Sequence, residues 1–186
     1  HLHVLEKIIV LNTSLFFLGI ILNLLGINLL DWFSLPYRFS EVLSHPWSII
    51  TYGFLHHSLG HLFFNMLVLY FIAQSFANLF KPRLSFKIYI LGVIFGGLAF
   101  VFVSMLIPDL LRINGPLVGA SAGVRACILF LCVYWPNKPI GFFSFRFPLK
   151  YLGIAMVVLD LPGLMSLNSG GTVAHIGGYL SGFLYA

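Results

Sequence analysis

Residues 8–30 read IIVLNTSLFFLGIILNLLGINLL, 23 positions without a charge between Lys7 and Asp31. A helix needs roughly 20 apolar residues to cross the hydrocarbon core of a bilayer, so this stretch predicts a membrane span. It is too long for the apolar centre of a signal peptide, and no small-residue cleavage pattern follows it. The whole chain agrees with this reading. Of 186 residues, 60% are hydrophobic and 8% are charged, and the mean hydropathy is +1.01. A soluble domain carries about 25% charged residues, so the composition excludes a solvated globular surface. It also excludes intrinsic disorder, which needs low hydrophobicity and high charge. An integral membrane protein, with the lipid bilayer as its main solvent and partner, is what remains.

Working outward, residues 32–60 change character. Trp32, Phe33, Tyr37, Phe39, Trp47 and Tyr52 mix with Pro36, Pro46 and polar residues. Aromatics of this kind favour the membrane interface, so a long interfacial loop is expected between helices one and two. Five further apolar segments follow, at about 61–80, 88–107, 117–135, 149–164 and from 172 onward. The alternating ten-residue strands of a membrane barrel are absent, so the spans are expected to be helices. The expectation is therefore an all-α membrane protein of six transmembrane helices, forming one domain over residues 1–186. The chain opens on His1 and stops within an apolar run, so both ends are expected to continue. Asn12-Thr13-Ser14 matches a glycosylation acceptor pattern that is useless inside a span. The two cysteines, Cys127 and Cys132, share one apolar run and form no metal or disulfide framework.

The net charge of +5 is informative for topology, not for nucleic acid, because the ten basic residues are dispersed and form no patch. Lys7, then Lys81, Arg83 and Lys87, then Lys138, Arg146 and Lys150 fall on one side of the six-span arrangement, against Arg38 and Arg112 on the other. The positive-inside rule then places the N-terminus in the cytoplasm. Segments two, four and six all enter from the outer face.

Polar groups inside spans are expensive, and they default to function. Here they gather near the outer ends of those three segments. His61 and Asn65 open segment two. Ser121 lies in Gly119-Ala120-Ser121-Ala122-Gly123 of segment four, and His175 in Ala174-His175-Ile176-Gly177-Gly178 of segment six. Gly119 with Gly123, and Gly178 with Gly182, have the small-residue spacing that lets membrane helices approach closely. Such packing would let Ser121 meet His175, the arrangement of an activated nucleophile. His61 and Asn65 share one helical face and would donate to a developing oxyanion. No acidic residue adjoins His175 in sequence, so a Ser–His dyad is expected in place of a triad. Each piece has a bland reading, as helix-packing glycines or an interfacial histidine; it is their shared layer that favours catalysis. His57 and His61 have the spacing of a metal-binding pair but lack the Glu of H-E-x-x-H, so no metal and no cofactor are expected.

In these residues the chain resembles the rhomboid intramembrane serine proteases. The matching elements are His56…His61-Leu62-Phe63-Phe64-Asn65, then Gly119-Ala120-Ser121, then Ala174-His175-Ile176-Gly177-Gly178 with Gly182, and they come in the family's order. The resemblance implies a six-helix rhomboid bundle with a cavity open to the outer face. It implies Ser121 as nucleophile, His175 as general base and then acid, and His61, Asn65 and the Ser121 N–H as oxyanion donors. It implies transmembrane protein substrates cut near their outer ends at small residues, with segment five as the element that admits them laterally.

Two positions depart from the family. Its usual G-x-S-G reads Gly119-Ala120-Ser121-Ala122 here. Where it often has an aromatic against the catalytic histidine, this chain has Arg125, whose charge disfavours a second positive charge on His175. Asp160 is the one carboxylate inside an expected span, and an Arg125–Asp160 ion pair tying segment five to segment four is the expectation that follows. Three function classes stand at this point. The leading one is an intramembrane serine endopeptidase. The second is a catalytically inactive rhomboid-like protein that binds membrane helices, a reading that Arg125 keeps open. A small transporter fits less well, because segments two and three carry no polar path through their inner halves.

Overall fold

The computed structural model describes residues 2–142 and 145–186. It is mainly helical. Helix α1 spans Val4–Leu24 and opens on a reciprocal cap: the His3 ring accepts from Leu5 N, and the Glu6 side chain accepts from His3 N at 2.7 Å. The connection that follows is not an open loop. It folds into three short helices, α2 (Leu29–Phe33), α3 (Phe39–Ser44) and α4 (Ser48–Thr51), and a 3-10 turn at Tyr52–Phe54. Two side chains close it on itself: Trp47 Nε1 donates to the Trp32 carbonyl at 2.9 Å, and Thr51 Oγ1 to that of Phe33 at 2.8 Å. Helix α5 covers Leu59–Leu79, capped by Ser58 Oγ accepting from His61 N at 3.2 Å. Helix α6 covers Pro82–Leu106, with proline at the first position, where its missing N–H costs nothing. Helices α1, α5 and α6 are each long and apolar enough to cross a membrane.

The second half is built from shorter helices: α7 (Ser121–Tyr134), α8 (Leu149–Asp160), continued by a 3-10 turn at Leu161–Met165, and α9 (Ser169–Tyr185). The hydropathy of segment four predicts a start at residue 117, but the helix starts at Ser121. Leu117 is paired with Leu35 through reciprocal backbone bonds of 3.0 and 2.8 Å, and Gly119 takes φ +131°. A residue at that φ cannot continue a right-handed helix. At about 1.5 Å rise per residue the 14 residues of α7 are well short of a bilayer core. Between α7 and α8 lies a small antiparallel hairpin that hydropathy did not foresee, β1 (Pro139–Phe142) with β2 (Phe145–Pro148), Pro139 opposite Pro148. Proline at the outer end of each strand stops the ladder there.

The core sits where α7 is held between α6 and α9. Gly92 and Gly96 of α6 face Ala126 and Ala122 of α7, and Gly178 and Gly182 of α9 face the carbonyl oxygens of Ala122 and Ala126. A Cβ on Gly178 or Gly182 would run into those oxygens, and one on Gly177 would lie 2.5 Å from the Phe95 carbonyl of α6. Glycine spacing alone suggests that Gly119 and Gly123 supply the α7 half of this contact. They do not supply the half that meets α9: Gly123 turns to α6, against Gly92 and the Tyr89 ring, and Gly119 abuts the His61 ring. The alanines supply it, because they lie on the face of α7 that carries both neighbours' glycines.

This contact makes a prediction. Gly182→Leu overpacks the α7–α9 seam, at a cost of about 1–3 kcal/mol or more, and should lower the thermal midpoint of the detergent-solubilised protein. Gly60→Ala, where an added Cβ meets nothing within 4 Å, should leave it unchanged.

Candidate functional site

The sequence expectation put four neutral groups in one layer, and each arrives there by a local device. The Ser58 cap fixes the first turn of α5 and with it His61. Ser121 is the first residue of α7, so its N–H is among the four that a helix leaves without an intrahelical partner. The turn before it is pinned by Tyr52, whose carbonyl accepts from Gly119 N at 2.9 Å while its hydroxyl donates to the Val93 carbonyl of α6 at 2.6 Å. His175 stands two turns into α9, on the helix that Gly178 and Gly182 press against α7.

The result is direct contact. Ser121 Oγ lies 2.8 Å from His175 Nε2, although 54 positions separate them in sequence. His61 stands across the Gly119 backbone: a Cβ there would fall 2.8–2.9 Å from its ring and 3.6 Å from Ser121 Oγ. Only glycine permits that approach, by its φ and by its missing side chain. Asn65 is buried and lines the same cavity, but its Nδ2 donates to the His61 carbonyl at 3.0 Å. One of its amide hydrogens is thus committed to the helix. The cavity has a volume of about 650 Å³ and is walled by His57, His61, Asn65, Ser121, Arg125, Met156 and His175, with the 112–118 and 167–171 loops at its rim.

His56 sits behind this layer. It is buried with no hydrogen-bond partner among the described residues on either ring nitrogen, and its ring meets that of His61 edge-on at 4.9 Å. Burial, aided by the neighbouring His61 and His57, pushes its pKa down to about 3, so the His56 ring is uncharged at neutral pH.

One turn below Ser121 and His175 lies a charged cluster. Arg125 meets Asp160, the last residue of α8, with two bonds: Nε to Oδ2 at 3.0 Å and Nη2 to Oδ1 at 3.2 Å. Fork geometry of this kind is the strong form of an ion pair, and both side chains are largely withdrawn from solvent. The same Oδ2 accepts from the Tyr179 hydroxyl at 2.6 Å and lies 3.1 Å from His175 Nδ1. The imidazole N–H is not aimed squarely at that oxygen and has no other partner. A dyad was expected because no acid adjoins His175 in sequence; in space a carboxylate stands beside the ring nitrogen that does not face Ser121. Tyr179 was missed altogether, although a signal existed. It follows His175 by four residues, as Arg125 follows Ser121, and i,i+4 residues share a helix face.

Comparison with known proteins identifies the family. The Rhomboid domain family model matches residues 43–186. The chain is 30% identical over 146 residues to RHOMBOID-like protein 12, mitochondrial, of Arabidopsis thaliana, a match covering 70% of this chain and 43% of that protein. It is 28% identical over 145 residues to Presenilin-associated rhomboid-like protein A, mitochondrial, of Danio rerio, covering 74% of this chain and 36% of that protein. The chain therefore spans less than half the length of these relatives. With helices suited to a bilayer and a family match over most of its length, the chain is an integral membrane protein that belongs to the rhomboid family.

Proposed function

We propose that this protein is an intramembrane serine endopeptidase that cleaves transmembrane protein substrates near the outer membrane face. The observation that carries the proposal is the 2.8 Å approach of Ser121 Oγ to His175 Nε2 at the wall of the cavity. In this reading His175 takes the proton of Ser121 as the hydroxyl attacks the scissile carbonyl, and then returns it to the leaving amine. The oxyanion forms beside the free N–H of Ser121 and the His61 ring, with Asn65 as the more distant donor. No charged group is needed at the reacting atoms, which suits a chain so poor in charge.

The membrane arrangement belongs to the same proposal. One domain over residues 1–186 crosses the bilayer six times, with the N-terminus on the cytoplasmic side and the cavity open to the outer face. Helices α7, α8 and α9 are short for a span, but non-helical backbone at membrane depth is tolerated where it is buried in protein or lines a water-filled cavity. The segments before Ser121 and before α9 do line the cavity. Both relatives are named as mitochondrial proteins, which favours an organellar membrane for this one.

Ser121→Ala should abolish cleavage of a model transmembrane substrate in reconstituted vesicles, with an unchanged thermal midpoint. Cleavage at the wild-type rate would overturn the mechanism, and binding of the helix without any cleavage by the wild type would favour the inactive, helix-binding reading. Within the oxyanion group, His61→Ala should lower kcat by roughly 10²–10³, the usual loss for one oxyanion donor. Asn65→Ala should cost less than His61→Ala, because part of its donor capacity is spent on the His61 carbonyl. Steady-state kinetics on the two variants decide the order.

A further inference from the structure

Asp160 is more than the counter-ion of Arg125. A buried arginine needs one carboxylate, and a fork-to-fork pair satisfies both groups. The carboxylate here carries a further load. Its Oδ2 receives Arg125 Nε at 3.0 Å and the Tyr179 hydroxyl at 2.6 Å, and it lies 3.1 Å from His175 Nδ1. These groups come from three helices: Arg125 from α7, Asp160 from the end of α8, and Tyr179 and His175 from α9. Arg125 and Tyr179 each sit one turn beyond the Ser121–His175 pair, and both donate to the Oδ2 that stands beside the imidazole.

We propose that Asp160 is a positioning residue for His175, held in place by Arg125 and Tyr179, so that the site works as a Ser121–His175–Asp160 triad. The proposal rests on the protease reading above. An acid at Nδ1 keeps the proton on that nitrogen and leaves Nε2 free to accept from Ser121, and it stabilises the imidazolium formed during attack. The imperfect aim of the His175 N–H at Oδ2 fits a resting site, since catalytic hydrogen bonds are often poorly aligned before substrate binds. Arg125 holds both oxygens of the carboxylate, Nη2 on Oδ1 and Nε on the Oδ2 that stands beside the imidazole.

Two experiments separate this role from charge balance. Asp160→Asn strands Arg125 and is at risk of misfolding, so the informative variant is the neutral pair Arg125→Met with Asp160→Asn. If Asp160 serves only Arg125, this double variant retains kcat within about threefold of the wild type, and the proposal is overturned. If Asp160 positions His175, kcat falls on the order of 100-fold, KM and thermal midpoint stay near wild type, and labelling of Ser121 by a fluorophosphonate slows in parallel. Tyr179→Phe removes one grip without removing charge; a kcat lowered several-fold at constant KM supports the clamp, and an unchanged kcat argues against it. The wild type supplies the control. If its Ser121 does not label at all, the protease reading fails first; if it labels and the double variant labels equally fast, the triad alone fails.

Discussion

The structure depends on backbone approach between α9 and α7. In lipid no hydrophobic effect drives helices together, so close packing and internal hydrogen bonds must do so. Here the contact leaves no room for a β-carbon at Gly178 or Gly182, because the carbonyl oxygens of Ala122 and Ala126 occupy that space. Gly92 and Gly96 let α6 approach the same two alanines from the other side. Helix α7 is therefore fixed from two directions over its first two turns, which are the turns that carry Ser121 and Arg125. A dyad between two helices needs side chains placed within a few tenths of an ångström, and small residues achieve this because they remove rotamer freedom from the interface altogether.

A second constraint acts at the cavity end, where helix gives way to irregular backbone. Tyr52 joins the short helices after α1 to both α6 and the Gly119 turn, and Leu35 pairs with Leu117. The N–H groups of Leu117 and Gly119, just before Ser121, are thereby bonded within the protein. The same turn exposes the Ser121 N–H and brings the His61 ring against Gly119. One positive-φ glycine thus serves packing, helix termination and the geometry of the proposed oxyanion site together.

Much of this was legible beforehand, and the legible part has a common cause. Hydropathy and length located α1, α5 and α6, with α5 within two residues at each end and α1 and α6 displaced by up to six at one end, because those helices are long, continuous and apolar. The layer of His61, Asn65, Ser121 and His175 followed from charge-based topology and from the position of each group along its segment. Hydropathy failed where tertiary bonds terminate an element: the start of α7 at Ser121 instead of Leu117, the folded connection after α1, and the Pro139–Pro148 hairpin. It also misassigned the α7 seam to Gly119 and Gly123, since spacing reveals that a small-residue face exists without saying which neighbour it meets.

By itself the sequence determined the solvent, the helical class and the family, since each of these is a property of composition and local order along the chain. The tertiary structure decided which groups touch. Asp160 and His175 are remote in the chain and joined by no local pattern, yet they lie 3.1 Å apart. Their distance is set by the angle at which α8 ends against α9, by the grip of Arg125 and Tyr179, and by the closeness of α9 to α7. Those are relations between helices, and no window on one helix contains them.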